Sequence, residues 1–433
     1  MKHLNRCVGR FLCVLGLVIF IVACGGGGGS NNGGQTPPPD NSGGNTGGDN
    51  TGGDNNDPSG ETEPNCDVSL ESIVQVLGDF FPDNLPSWEQ LDCYVTDLVR
   101  MDNPEFLLLV GDTPPEVNFN PVNPPTFWEE IQSDLAFAAE WPEANLYAIT
   151  VGSAPPYLQG DGELYTEEEW DQKMRGLAAY GMYLKQLGFR LKVDFFYPPT
   201  YFEPGEGFFP VINNADDFLD WWEDVYIPER VHLAQIAELV KAEYFQPWDV
   251  EPGQFIRSAG DGWLEDMTPE EQIAVTQQII DSLYDAVRPE FSGTLIAINY
   301  DRYAAVGDHW KQLNFSEWDQ VHFALFTEGD VEATQIYLDE QLAGYTEMVE
   351  RDGLQNWVLH EVTVDEEKHQ RLLQEGETFA EIEADIYQAI FDAINNLPPD
   401  LTAPLGGVGL TTGNVQSEEA ESIVRANYTL LGQ

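Results

Sequence analysis

The chain has 433 residues, with 19 Lys+Arg against 75 Asp+Glu for a formal charge of −56; 42% of residues are hydrophobic and 12% aromatic. Length and apolar content exclude a wholly disordered chain and allow a sizeable core, in one large domain or two smaller ones. The charge excludes a nucleic-acid binder, which needs clustered Lys and Arg against phosphate.

Lys2, Arg6 and Arg10 precede Phe11–Val22, a 12-residue run that is apolar apart from one Gly. It is too short for a membrane span of ~20 residues and fits the apolar region of an export signal over residues 1–23. Ile21-Val22-Ala23-Cys24 resembles the bacterial lipobox, with Ile where Leu is usual. The resemblance implies cleavage before Cys24, lipidation of that Cys, and membrane attachment through the lipid alone. Gly25 rather than Asp follows, which by the same family rule favours the outer membrane, on its periplasmic or extracellular face. Removal of residues 1–23 would leave 16 basic against 75 acidic residues, a net charge of −59. So acidic a surface keeps a protein soluble and suits saline surroundings, where repulsion is screened. A calcium role lacks its D-x-D-x-D-G loop.

Gly25–Asn65, 41 residues built mainly from Gly, Asn, Asp, Pro, Ser and Thr, cannot bury a core. With Cys24 it forms a flexible tether of about 35 Å typical reach. Cys7 and Cys13 leave with the signal. Cys66 and Cys93 remain, an even number in an exported chain, and are expected to form a disulfide closing a 28-residue loop. From Cys66 to Gln433 the composition is globular without a second linker. Val68–Leu98 reads as a short helical cap, with apolar stripes at Ile73, Val74, Val76, Leu77 and at Trp88, Leu91, Val95.

Strand-like runs then alternate with amphipathic helices. Phe106–Val110 precedes a helix at Phe127–Trp141; Leu146–Val151, one at Glu167–Leu187; Arg190–Tyr197, one at Asp216–Val240; Glu243–Trp248, one at Pro269–Val287. Thr294–Tyr300 precedes a short one at Asp308–Leu313; Val321–Phe326, one at Glu332–Glu350; Asn356–Val362, one at Thr378–Asn396; Pro404–Leu410, one at Glu418–Leu431. Eight such units predict an α/β protein with a parallel sheet, best accommodated as a (β/α)8 TIM barrel. A doubly wound sheet is the alternative, but Gly111-Asp112-Thr113-Pro114 lacks its glycine-rich phosphate loop.

In such barrels chemistry sits at the C-terminal strand ends. The fourth run ends Gln246-Pro247-Trp248-Asp249-Val250-Glu251-Pro252-Gly253, and the seventh ends Leu359-His360-Glu361-Val362. Each carries a Glu beside apolar strand residues, where a carboxylate is costly without a partner or a role. Competing carboxylates are Asp112, Asp194, Glu203, Asp301 and Glu328; Asp194 could pair with Lys192 or Arg302.

These two ends resemble the clan A, or 4/7, superfamily of retaining (β/α)8 glycoside hydrolases, from about Phe106 to the C-terminus. The resemblance implies that Glu251, within Val250-Glu251-Pro252, is the acid/base and that Glu361 is the nucleophile. They stand 110 positions apart, which suits three intervening units. Val250 stands where the family has an Asn that binds the sugar 2-hydroxyl, and Gly406-Gly407-Val408-Gly409-Leu410 offers no strand-8 aromatic. Two carboxyl groups about 5–5.5 Å apart cleave with retention through a glycosyl-enzyme. Aromatics near strand ends could stack on sugar C–H faces; Trp248 and Tyr300 are the first candidates, with Tyr197 and Trp263, while Trp221-Trp222 reads as helix packing.

Other chemistries fit worse. His360-Glu361-Val362-Thr363-Val364 is not an H-E-x-x-H zinc site, and no G-x-S-x-G elbow or P-loop is present. His309, His322, His360 and His369 read as structural or exposed, with His360 able to orient a neighbour of Glu361. The expectation is therefore a lipid-anchored, monomeric glycosidase in the cell envelope, without metal or cofactor, that cleaves a β-linked poly- or oligosaccharide. The alternative is a non-catalytic glycan-binding lipoprotein on the same barrel.

Overall fold

The computed structural model describes residues 68–77, 86–110, 135–136, 139–142, 144–152, 167–196, 214–248, 267–299, 311–327, 330–364, 378–410, 415 and 417–432. The chain divides after Glu63 into two units. The first, which holds the expected export segment, Cys24 and nearly all of the expected tether, lies outside the described residues.

Among the described residues eight strands follow one another: β1 (Leu107–Val110), β2 (Tyr147–Gly152), β3 (Leu191–Phe196), β4 (Tyr244–Gln246), β5 (Thr294–Asn299), β6 (Gln320–Thr327), β7 (Trp357–Val364) and β8 (Leu405–Leu410). Each overlaps the run expected for it. All bonded neighbours are parallel, in the order β1-β8-β7-β6-β5-β4-β3-β2. The first strand therefore lies beside the last, which a doubly wound sheet does not do and a barrel requires.

The two ends of this order, β1 and β2, are joined by one side chain. Asn145, two residues before β2, accepts from Leu108 N at 3.0 Å through Oδ1 and donates through Nδ2 to Phe106 O at 2.8 Å. Its own backbone N–H donates to Leu108 O at 3.0 Å. An amide side chain carries both a donor and an acceptor, so it can imitate a strand's backbone where the ladder has not begun.

The helices are α1 (Leu70–Leu77), α2 (Trp88–Val95), α3 (Glu167–Gln186), α4 (Ala215–Trp221), α5 (Ile227–Leu239), α6 (Pro269–Val287), α7 (Val331–Asp352), α8 (Phe379–Asn395) and α9 (Glu418–Leu431). α6 shows why they form where they do. Thr268 and Glu271 make a reciprocal capping box, Pro269 occupies the first turn, and Thr276, Ile279, Ile280, Leu283 and Val287 bury one face. α7 starts on an Asp330 cap and stops at Gly353, whose φ of +71° is left-handed. The single helix expected over Asp216–Val240 is interrupted by a π turn at Trp222–Tyr226. Pro228 follows at once; it has no N–H to donate and its ring crowds the preceding turn, which widens instead. The helices expected after β1 and β5 fall largely outside the described residues.

The N-terminal end of the barrel is closed by the segment entering β1. Arg100 donates to Ala242 O at 2.7 Å, Ser292 Oγ at 2.6 Å and Glu238 Oε2 at 2.8 Å. Glu243, fully buried, accepts from Lys185 Nζ, from Leu191 N at 2.6 Å and from Met101 N at 2.7 Å. Taking this ion pair out of water is costly, and the two backbone donors offset part of that cost.

Candidate active site

Alternation along the strands assigns each residue to the barrel interior or to the helix layer, and residues directly opposite across a ladder share a face. Ile296 stands opposite Gln320 and Ile298 opposite His322, which stands opposite Val358. These positions line the interior. Phe323 stands opposite Leu359 and faces the helices, stacking on Tyr345 of α7 at 4.0 Å.

The regular pairing breaks at the next step. Ala324 on β6 is opposite Glu361, not His360, so β7 carries one extra residue there. A second shift on the β8 side covers the same stretch, between Leu359 and Val362. Ala324 belongs to the interior face with His322. The bulge therefore moves Glu361 to an interior register position, where unbroken alternation would have put it on the helix side. Bulges characteristically re-aim a residue in this way beside active sites.

Beneath this position the interior is polar. Lys192 and Asp194, two apart on β3, form a buried ion pair at 2.5 Å, and Lys192 Nζ also donates to Gln246 Oε1 at 3.2 Å. On β6, His322 Nε2 lies 2.9 Å from Gln320 Oε1, and Gln320 Nε2 donates to Asn356 Oδ1. The rings of His322 and His360 are 5.5 Å apart between centroids. Burial, and then the positive charge of Lys192, holds both imidazoles well below their ordinary range; His322 adds to the effect on His360. Asp194 thus takes the first of its two expected partners. His322 is fully buried, one of the two readings given for it.

The exit of β4 is held from two sides. Tyr226 of the π turn stacks on Trp222 at 4.1 Å and donates to Pro247 O at 3.4 Å. Trp248 donates its indole N–H to Ile298 O at 3.1 Å and packs edge-on against Trp318 at 4.8 Å. Trp248 is 1% exposed. This corrects the expectation that it stacks on a sugar: its ring and its one donor are both spent inside the protein. Trp222, as expected, packs.

Glu251, Tyr197, Trp263, Tyr300 and Cys66 lie outside the described residues, as does the side chain of Glu361. Asp112, Glu203, Asp301 and Glu328 also lie outside them. Cys93, on α2, packs half-buried against the core. Among the described residues there is no cluster of His, Cys, Asp and Glu suited to a metal, and no helix long and apolar enough to cross a membrane. A cavity of 490 Å³ lined by Arg100, Glu243, Arg288, Asp319 and Asn356 opens at the opposite, N-terminal end of the barrel, away from the strand ends just described.

Sequence reading missed the interior network and the bulge. The network had a signal, the period-two pairs Lys192/Asp194 and Gln320/His322, which is how polar residues on one strand face are spaced. The bulge had none.

The architecture that these strands define is an α/β barrel of eight parallel strands. No family model and no curated protein sequence matches the chain. Among solved structures it is similar to a GH113 β-1,4-mannanase complex, at 14% identity over 76% of this chain and 99% of that one, with a TM-score of 0.47. It is similar to the GH113 β-mannanase AaManA from Alicyclobacillus acidocaldarius, at 12% identity over 77% and 100%, TM-score 0.48. It is also similar to the catalytic domain of Bacillus sp. JAMB-750 GH26 endo-β-1,4-mannanase, at 11% identity over 82% and 91%, TM-score 0.41.

Proposed function

We propose that this chain is a retaining glycoside hydrolase acting on a β-linked poly- or oligosaccharide. One observation carries the reading: the bulge in β7 gives Glu361 an interior register position near the C-terminal end of the barrel. The motif at the exit of β4 supplies the partner, Glu251. Glu361 attacks the anomeric carbon and forms the glycosyl-enzyme as the glycosidic bond breaks. Glu251 gives its proton to the leaving oxygen, then takes one from the water that releases the sugar. The mechanism requires Glu251 to be protonated in the resting enzyme, a state that burial and a second carboxylate nearby would favour. Tyr197, Tyr300 and Trp263 are the proposed sugar-stacking residues.

The domain is proposed to stand on a lipid at Cys24, by way of the Gly25–Asn65 tether, with Cys66 and Cys93 bonded after the tether ends. Loss of palmitate labelling in Cys24→Ser is the outcome expected for the anchor.

The test of the chemistry is a polysaccharide panel with reducing-end detection on the full chain. Glu361→Ala and Glu251→Ala are expected to lose at least ~10³-fold in kcat while retaining binding. Unchanged turnover in Glu361→Ala would sink the assignment. Binding without turnover in the unmodified chain would favour the glycan-binding alternative, to which Val250 and the glycine-rich β8 also point.

A further inference from the structure

A (β/α)8 interior is ordinarily a packed core, filled by layers of side chains. Here its N-terminal end opens into a cavity of 490 Å³, within the ~300–1,000 Å³ of small-molecule sites. The charges on its wall are matched within the protein. Arg100 serves Glu238, and Arg288 serves Asp319 Oδ2 at 2.7 Å together with Phe291 O and Gly293 O. Asp319 also accepts from Leu295 N at 2.8 Å, and Glu243 holds Lys185 and the two backbone donors already described. An anion would have to displace a carboxylate from one of these arginines, and a cation would find both Glu243 and Asp319 already paired. Asp102, also on the wall, is exposed, where a carboxylate is at home in water.

Three neutral groups on the same wall keep hydrogen-bonding capacity. Tyr244, on β4 opposite Lys192 and Thr294, is 2% exposed, and its hydroxyl makes no hydrogen bond among the described residues. Burial, and then the charge of Glu243, push that hydroxyl up against an opposing effect of Arg190, so it keeps its proton. The Thr294 hydroxyl accepts from Asn103 Nδ2 at 2.8 Å and has its own proton to give. Asn356 accepts from Gln320 through Oδ1, which leaves its amide N–H groups. Gly406 of β8 gives Asn356 its place, since a Cβ there would come within 2.9 Å of Asn356 Cγ. A buried polar group without a partner is costly, so Tyr244 calls for one. We propose that this cavity is a second binding site, for a neutral mono- or disaccharide whose hydroxyls pair with Tyr244, Thr294 and Asn356. The site lies at the end of the barrel opposite Glu361 and does not depend on the role given to that residue.

The experiment is NMR of the full chain labelled with ¹³Cζ-tyrosine, the Tyr244 resonance being assigned by its loss in Tyr244→Phe. D-glucose, D-mannose and D-galactose are titrated into the wild-type chain, and their β-1,4-linked disaccharides into Glu361→Ala; sodium sulfate and magnesium chloride are the charged controls. At least one sugar is expected to shift Tyr244 saturably, and neither salt is. Calorimetry with that sugar is expected to show a roughly two- to tenfold weaker affinity in Tyr244→Phe, the worth of one hydrogen bond. A Tyr244 resonance that no sugar moves would mean that the cavity holds water only, and would overturn the proposal. A shift with sulfate or magnesium and with no sugar would overturn the neutral ligand, and an affinity unchanged in Tyr244→Phe would place the sugar elsewhere. Failure of the hydrolase reading would show separately, as turnover that survives Glu361→Ala.

Discussion

Glu361 on β7 stands opposite Ala324 on β6, and it does so because His360 is the extra residue of a bulge. One inserted residue exchanges the faces of a strand, since side chains alternate with a period of two. The chemistry proposed for this protein depends on that exchange, and neither neighbouring residue reveals it by its type.

Deleting His360 is therefore expected to return Glu361 to the helix-facing register. Turnover should fall to the level of Glu361→Ala, with far-ultraviolet circular dichroism retained and a lower melting temperature. Turnover near wild type in a folded deletion variant would show that the bulge does not place Glu361.

Asn145→Ala removes both side-chain bonds across the β1–β2 seam and strips Leu108 N of its partner. A hydrogen bond lost with a backbone group left unpaired costs about 1–3 kcal/mol. Urea denaturation should show a loss in that range, and Asn145→Asp, which keeps an acceptor for Leu108 N, should lose less. A change below about 0.5 kcal/mol would mean that the seam closes by other contacts.

Trp248→Phe tests whether Trp248 serves the core and not the sugar. The substitution keeps a buried ring and removes the N–H that reaches Ile298 O. Stability is expected to fall by about 1–2 kcal/mol, while KM changes less than twofold. A tenfold rise in KM at unchanged stability would restore Trp248 to a sugar-binding role.

Glu238 makes stability depend on pH. Burial pushes its carboxyl up, but hydrogen bonds from Lys241, Arg100 and Ser292 outweigh this and bring it from 4.5 to about 2. A depressed carboxyl contributes stability that is present above 4.5 and lost as pH falls towards 2. Part of the side chain is open to solvent, so the effect is modest. Glu238→Gln should be less stable than wild type at pH 6, and the difference should shrink as pH falls from 4.5 to 2. A difference constant over that window would exclude Glu238 as its source.

Sequence by itself determined the strand and helix order and hence the sheet. Leu146–Val151, Thr294–Tyr300 and Val321–Phe326 are largely apolar runs, and α6 carries its own cap and buried stripe. These are local properties, written within a turn or two of the chain. Tertiary structure alone decided the pairing. Which residue of β6 meets Glu361, that Asn145 closes the ring, that the rings of His322 and His360 meet, and that Trp248 donates to Ile298 O are facts about positions 37 to 50 residues apart. No local pattern encodes them, because register is fixed only when whole strands settle against one another.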